Sequence, residues 1–372
     1  MRLRKNDGKY LSHCHLKNFM EKKQSKIFTK LNLFIALSIF WIIGLVFFTT
    51  RQNQSFNIKE NSTLTPFVRI AKNALGTEPI TPLYEPEGFD FQKVTLGRKL
   101  FFDPIMSHDN TLSCASCHDL EHGGADNLPR PVGINQMLGE RNTPTVLNSG
   151  FNFRQFWDGR ALTLEDQING PTHNSKEMGS SWNEILDKLN HSPEYAGQFE
   201  KIYHVKEITA DLVREVISTF ERELVTTNSP FDRWLKGDKN ALTIQQKEGY
   251  KLFKTYGCVS CHHGVNVGGN MFERLGIFLN FYETHPESAK DLGRFNITNQ
   301  THTHTRNEFK VPSLRNIALT SPYLHDGSVK TLREMINIMA LYQLGETLPD
   351  SEIMAIEAFL NSLTGQKPAV LK

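Results

Sequence analysis

Hydrophobic and polar positions along this chain change character several times. Residues 1–30 are polar and basic, with Arg2, Arg4, Lys5, Lys9, Lys17, Lys22, Lys23, Lys26 and Lys30 facing only Asp7 and Glu21. An uncharged run from Leu31 to Thr50 follows, dense in Phe, Ile, Leu and Trp. About 20 mostly apolar residues suffice to cross a bilayer as a helix. The run is longer than the apolar core of a signal peptide, and no small-x-small cleavage pattern follows it. The reading is a basic cytoplasmic arm at 1–30, an uncleaved transmembrane anchor at 31–50 and a polar tether at 51–81.

From Pro82 onward the periodicity is mostly helical. Phe91 to Phe102 carries apolar residues at helical spacing and stops at Asp103-Pro104. Leu212, Val213, Val216, Ile217, Phe220 and Leu224 form an amphipathic stripe that closes a first domain. Asn228 to Asn240 reads as a turn-rich connector, and Gln245 to Tyr256 as the next helix. Thr331 and Glu334 offer a capping box ahead of Leu332, Met335, Ile336 and Met339. Asp350 starts a last helix through Leu363, with Gly365 as its stop. Residues 119–145 and 264–310 read as long irregular loops, a length that usually signals function. Strand signals are sparse. The expectation is a mostly α chain of two domains, 82–227 and 228–372, each built around one of the chain's two Cys-x-x-Cys-His runs.

Composition adds little except through cysteine. Lys+Arg 42 against Asp+Glu 40 is nearly balanced, so charge implies no nucleic-acid partner. Of five cysteines, Cys14 stands apart between His13 and His15 and reads as a plain thiol. The other four form Cys114-Ala115-Ser116-Cys117-His118 and Cys258-Val259-Ser260-Cys261-His262. Cys-x-x-Cys-His is the attachment sequence of a c-type haem. Each thiol forms a thioether to one vinyl group, and the adjacent imidazole binds the iron from one face. A pair of disulfides or a shared zinc site would use the cysteines but leave both histidines unexplained. Covalent haem c is attached outside the bacterial inner membrane. The expectation is therefore a single-pass protein of that membrane with its catalytic part in the periplasm.

The second axial ligand sets each iron's task. For the second haem Met339 is the methionine candidate, with Met335 and Met354 nearly as eligible and core packing the bland alternative. For the first, the segment from Phe156-Trp157-Asp158-Gly159-Arg160 through Gln167 to Glu177-Met178 offers a carboxylate for acid/base work at an O–O bond.

Together these stretches closely resemble the bacterial dihaem cytochrome c peroxidases. The likeness runs from Pro82 to Gly365. It rests on Leu112–His118, Arg141-Asn142-Thr143-Pro144-Thr145-Val146-Leu147-Asn148, Phe156–Arg160, Gly257–His262, Val311-Pro312-Ser313-Leu314-Arg315-Asn316 and Pro322-Tyr323-Leu324-His325-Asp326-Gly327. The resemblance implies a peroxidatic haem on Cys114, Cys117 and His118, with Glu177 and Gln167 over its distal face. It implies an electron-entry haem on Cys258, Cys261, His262 and Met339, and Trp157 between the two. It further implies a calcium ion bound by the Asn142 side chain and the carbonyls of Thr320 and Pro322, and a homodimer. Hydrogen peroxide would be the substrate, with electrons from a small cytochrome c or cupredoxin.

One departure matters. Many members carry a histidine that caps the first iron until the second haem is reduced; the matching position here is Ile134, which has no lone pair. The first haem is therefore expected to be open even when fully oxidised. His122 is a second candidate for the cap, though its closeness to His118 makes the opposite ring face awkward to reach. Two rival readings remain: a dihaem oxidase that matures a quinone cofactor in a partner protein, against which Met339 speaks, and a non-catalytic dihaem electron carrier, against which Glu177 and Gln167 speak.

Overall fold

The computed structural model describes residues 78–298 and 301–372. Helix α1 (Phe91–Phe102) starts where the Asp90 carboxylate accepts the N–H groups of Gln92 and Lys93, at 3.0 and 3.2 Å. It ends at Asp103, because the following proline disfavours a helical conformation there. The single turn α2 (Cys114–Cys117) holds the first Cys-x-x-Cys pair. Then come α3 (Leu164–His173), α4 (Trp182–His191), α5 (Pro193–Tyr203) and α6 (Ala210–Arg222), N-capped in turn by Thr163, Ser181, Ser192 and Thr209.

The second half opens with α7 (Pro230–Leu235) and α8 (Ile244–Thr255), and a 3-10 turn at Cys258–Ser260 carries the second pair. Strands β1 (Phe272–Arg274) and β2 (Glu308–Lys310) form a short antiparallel ladder, with α9 (Phe281–Thr284) between them. Helix α10 (Leu332–Ile338) runs into a π-helical stretch at Met339–Leu344, and α11 (Asp350–Asn361) follows.

The two halves repeat one packing device. In α1, a Cβ built on Gly97 would lie 1.9 Å from the Val216 carbonyl oxygen of α6; in α8, one on Gly249 would lie 1.8 Å from that of Ala355 in α11. Only glycine allows backbones that close. Four residues on from each partner, Phe101 meets Phe220 at 5.3 Å between ring centroids, and Phe253 meets Phe359 at 5.1 Å. The helix before each cysteine pair thus crosses a later helix through the same Gly and Phe–Phe contacts. The hydrophobic clusters follow suit. Those from Val94 to Leu224 surround α1 and α6, and that from Phe231 to Leu363 surrounds α8 and α11. Ile80 belongs to the latter, and Leu371 packs against the former.

The structure revises several sequence expectations. The connector 228–240 contains α7, whose Phe231 is fully buried. The 264–310 stretch contains the β ladder and α9. Gly365 is not a helix cap, since Ser362 ends α11. Its role is steric: a Cβ there would lie 2.1 Å from the Thr226 carbonyl oxygen. The arm, the proposed anchor at 31–50, Cys14 and most of the tether lie outside the described residues. The placement as a single-pass inner-membrane protein facing the periplasm is corrected: among the described residues no helix is long and apolar enough to cross a membrane. The longest, α6, has 13 residues, roughly 20 Å at 1.5 Å per residue against a core about 30 Å thick.

Candidate haem centres

In α2, Cys114 and Cys117 lie one helical turn apart, which puts both thiols on one face. Ser113 and Ser116 fix that turn by capping it reciprocally. Burial pushes both thiols up to about 12, with Glu221 adding to the effect at Cys114, and Asp126 and Glu177 at Cys117. They are neutral and not joined to each other. His118 follows directly. Its Nδ1 meets the Gly124 carbonyl at 3.1 Å, which leaves Nε2 as the ring nitrogen available to a metal. Burial lowers its pKa, which keeps the ring neutral as a ligand must be.

Glu177 stands on the turn after α3, the helix that carries half-buried Gln167. Asn174 donates its side-chain N–H to Glu177 Oε1 at 2.7 Å. Burial raises the Glu177 carboxyl above its ordinary range, outweighing the Asn174 bond and nearby Arg160. The carboxyl is close enough to Cys117 to help raise that thiol. Ile134 sits against this turn and is buried. His122 faces outward, its Nδ1 2.7 Å from Asp119 and its side chain 73% exposed.

The second centre is a cavity of about 420 Å³ lined by Cys258, Cys261, His262 and Met339, with Phe253, Ile336 and Leu360 among its apolar walls. Burial lowers His262 to about 4, and its Nδ1 faces the Val267 carbonyl at 3.4 Å. Met335 also lines the cavity, while Met354 lies exposed on α11. Two thiols, a neutral imidazole and a thioether around one apolar cavity form a donor set that suits a covalently held haem. Among the described residues no group of three or more His, Cys, Asp or Glu is placed to hold a bare metal ion.

Trp157 lines the same cavity and ties its parts together. Its indole N–H donates to the Asn142 carbonyl at 2.9 Å, and its own carbonyl accepts from Lys310 N–H at 2.7 Å. Arg141 braces that segment. It donates to Asp158 at 2.6 Å and doubly to Asp291 at 2.6 and 2.8 Å. Asn142 uses its Nδ2 on the Leu128 carbonyl, at 2.9 Å, leaving its side-chain oxygen free of that bond. Thr320 and Pro322 line the same cavity as Asn142.

Sequence reasoning missed Asn174, the Arg141–Asp158–Asp291 bridge and Lys310. Arg141 lies within one of the family-like stretches, but nothing local pairs it with a carboxylate 150 positions away.

Comparison with known proteins agrees with this geometry. The family model for di-haem cytochrome c peroxidase matches residues 91–240. The chain is 46% identical over 291 residues to a cytochrome c peroxidase of Escherichia coli, covering 77% of this chain and 61% of that protein's length. It is 46% identical over 294 residues to the cytochrome c551 peroxidase of Nitrosomonas europaea, covering 78% of this chain and 85% of the relative. The methylamine utilization protein MauG of Methylorubrum extorquens is more distant, at 35% over 261 residues, 70% of this chain and 69% of the relative. Among solved structures, a MauG-like protein associated with microbial copper homeostasis superposes with a TM-score of 0.67 at 28% identity, covering 77% of this chain and 94% of that one. The chain belongs to the di-haem cytochrome c peroxidase family.

Proposed function

We propose that this chain reduces hydrogen peroxide to water with electrons from a small cytochrome c or cupredoxin. The observation that carries the reading is Glu177: a half-buried carboxyl with a raised pKa, held by Asn174 and set close to Cys117. One haem would be held by Cys114, Cys117 and His118, the other by Cys258, Cys261, His262 and Met339. When bound, they supply the redox chemistry that splits the O–O bond and the route by which electrons arrive. The protein moves the proton. Glu177 takes one from the inner peroxide oxygen and returns one to the outer oxygen, so that water leaves. Asn174 keeps the carboxyl in one orientation, and Gln167 is assigned beside it over the same face. Trp157 is assigned to the path between the two centres, supported by its place in the cavity wall.

Calcium at the Asn142 side-chain oxygen and the Thr320 and Pro322 carbonyls belongs to the same proposal, supported by oxygen donors of the kind a hard cation prefers. A homodimer belongs to it on the family resemblance alone. Ile134 and the outward-facing His122 support a first haem that is open when fully oxidised. Met339 at the cavity wall speaks against the quinone-maturation reading.

The test is to record optical and EPR spectra of the air-oxidised, haem-loaded protein and then add one equivalent of peroxide. A high-spin ferric signal that changes within the mixing time is expected. Two low-spin haems that stay inert to peroxide after reduction would overturn the peroxidase reading in favour of an electron carrier. Inertness only before reduction would overturn the open-site part alone.

A further inference from the structure

We propose that Lys310 is the counter-charge to a propionate of the haem held in the second cavity. The inference rests on reading that cavity as a haem site. Lys310 ends β2, in register opposite Phe272 of β1, and its backbone N–H is fixed to the Trp157 carbonyl at 2.7 Å. It lines the cavity that Cys258, Cys261 and His262 share.

Its side chain is enclosed by protein, and burial alone lowers it to about 8; no acceptor or carboxylate among the described residues answers its ammonium. Buried charges without a partner cost several kcal/mol, so folded proteins pair them. Nearby Glu273 does not fill the role. Its Oε1 accepts the Arg274 N–H, and its charge is felt at Cys261. Arg274, on the paired strand, also lines the cavity, but its guanidinium is committed to the Asn280 side-chain oxygen at 2.8 Å.

An apolar cavity with an uncommitted cationic donor at its wall calls for an anionic ligand. Haem brings two carboxylates. A cation beside a propionate stabilises the reduced iron relative to the oxidised one, since it offsets negative charge near the metal. Lys310 would therefore help keep the electron-entry haem at high potential.

The test uses the haem-loaded protein. Haem is first counted per chain by the pyridine haemochrome assay. Fewer than two in the wild type would overturn the two-haem reading itself, a failure distinct from that of the Lys310 assignment. Both haems are then titrated by spectroelectrochemistry in the wild type, Lys310→Met and Lys310→Arg. The Met variant is expected to shift the ferric/ferrous equilibrium of the Met-ligated haem about tenfold toward ferric, or about 59 mV lower. The Arg variant should stay within about twofold of wild type, and the other haem should not move. A Met variant with both haems and an unshifted equilibrium would overturn the proposal, as would a shift confined to the first haem. Should the Met variant lose its second haem, the Arg variant decides. Full loading with a wild-type equilibrium supports the assignment, and loss of haem from both overturns it.

Discussion

Ile134 donates its backbone N–H to the carbonyl of Glu177 at 2.9 Å, so the loop after the first haem sequence is docked on the turn that carries the proposed acid/base. The docking is tight. A Cβ on Gly133 would lie 1.9 Å from the Lys176 carbonyl oxygen, and one on Gly179 would lie 2.3 Å from Ile134 Cδ1. Truncating Ile134 removes the side chain that packs on Gly179 and leaves a cavity beside Glu177. Ile134→Ala should cost about 2–4 kcal/mol, read as a lower urea midpoint. It should also lower kcat, because the carboxyl loses its fixed position. Full activity in a destabilised variant would show that the loop supports the fold without placing Glu177.

Glu177 makes a prediction about pH. Burial raises its pKa above the ordinary 4.5, so it keeps its proton to a higher pH than a free glutamate. The step that takes a proton from peroxide needs the ionised form. Activity should therefore fall as pH drops through that raised value, and the acid limb of kcat/KM should lie above 4.5. Glu177→Gln removes the base without changing its size. We expect kcat to fall roughly 10²–10⁴-fold, with the acid limb gone from any residual rate and both haem spectra unchanged. Asn174→Asp should move the limb upward, since a second carboxyl replaces the N–H donor. A limb at the same pH in Asn174→Asp and wild type would argue against the Asn174–Glu177 pair as the titrating unit.

Much of this architecture was legible in the sequence, for physical reasons that differ by residue. The Cys-x-x-Cys-His runs were readable because the chemistry demands local spacing. The stripe from Leu212 to Leu224 was readable because α6 buries one face. Short elements escaped. The six residues of α7 and the three of each strand are too brief for periodicity to register. Phe231 is buried by its neighbours in space, not by a pattern along the chain. Long-range partners escaped entirely: Arg141 meets Asp291, and Lys310 meets the cavity, only once the chain is folded. Gly365 misled, because it makes room for the Thr226 carbonyl and does not end the helix. Gly97 and Gly249 look like helix weaknesses, yet they make the two equivalent helix crossings.

Arg315, in the family-like run Val311–Asn316, is a structural residue. Its guanidinium donates to Asp232 Oδ1 at 2.7 Å, to the Val265 carbonyl at 3.0 Å and to the Thr81 carbonyl at 2.9 Å. Both side chains of the ion pair are fully buried. Asp232 also accepts from Leu83 N–H at 3.1 Å and from the Ser229 hydroxyl at 2.8 Å. Removing one partner strands the other charge. Arg315→Met should cost about 3–5 kcal/mol in chemical denaturation. Asp232→Leu in the same chain should recover part of that loss, although the Leu83, Ser229, Val265 and Thr81 groups then lose a partner. A double variant no more stable than Arg315→Met would mean that these hydrogen bonds, not the ion pair, dominate.

Glu221 supplies a stability prediction with a definite sign. It is buried in α6, its Oε2 has no hydrogen-bond partner, and burial raises its carboxyl to about 8 despite the favourable charge of Arg222. In the unfolded chain the same group titrates near 4.5. Between those values the folded state binds a proton that the unfolded state has lost. Stability is therefore fully present below pH 4.5 and is lost as pH rises towards about 8. The loss is on the order of 3–5 kcal/mol, taking about 1.36 kcal/mol per pH unit. Glu221→Gln keeps the shape and has no charge to bury. Urea midpoints of the haem-loaded protein should fall between about pH 5 and about pH 9 for the wild type, and fall less for the variant. At the alkaline end the variant should be the more stable of the two. Parallel declines would assign the alkaline loss to another group, with Glu223, raised to about 7 by burial and by Glu85, the next to substitute.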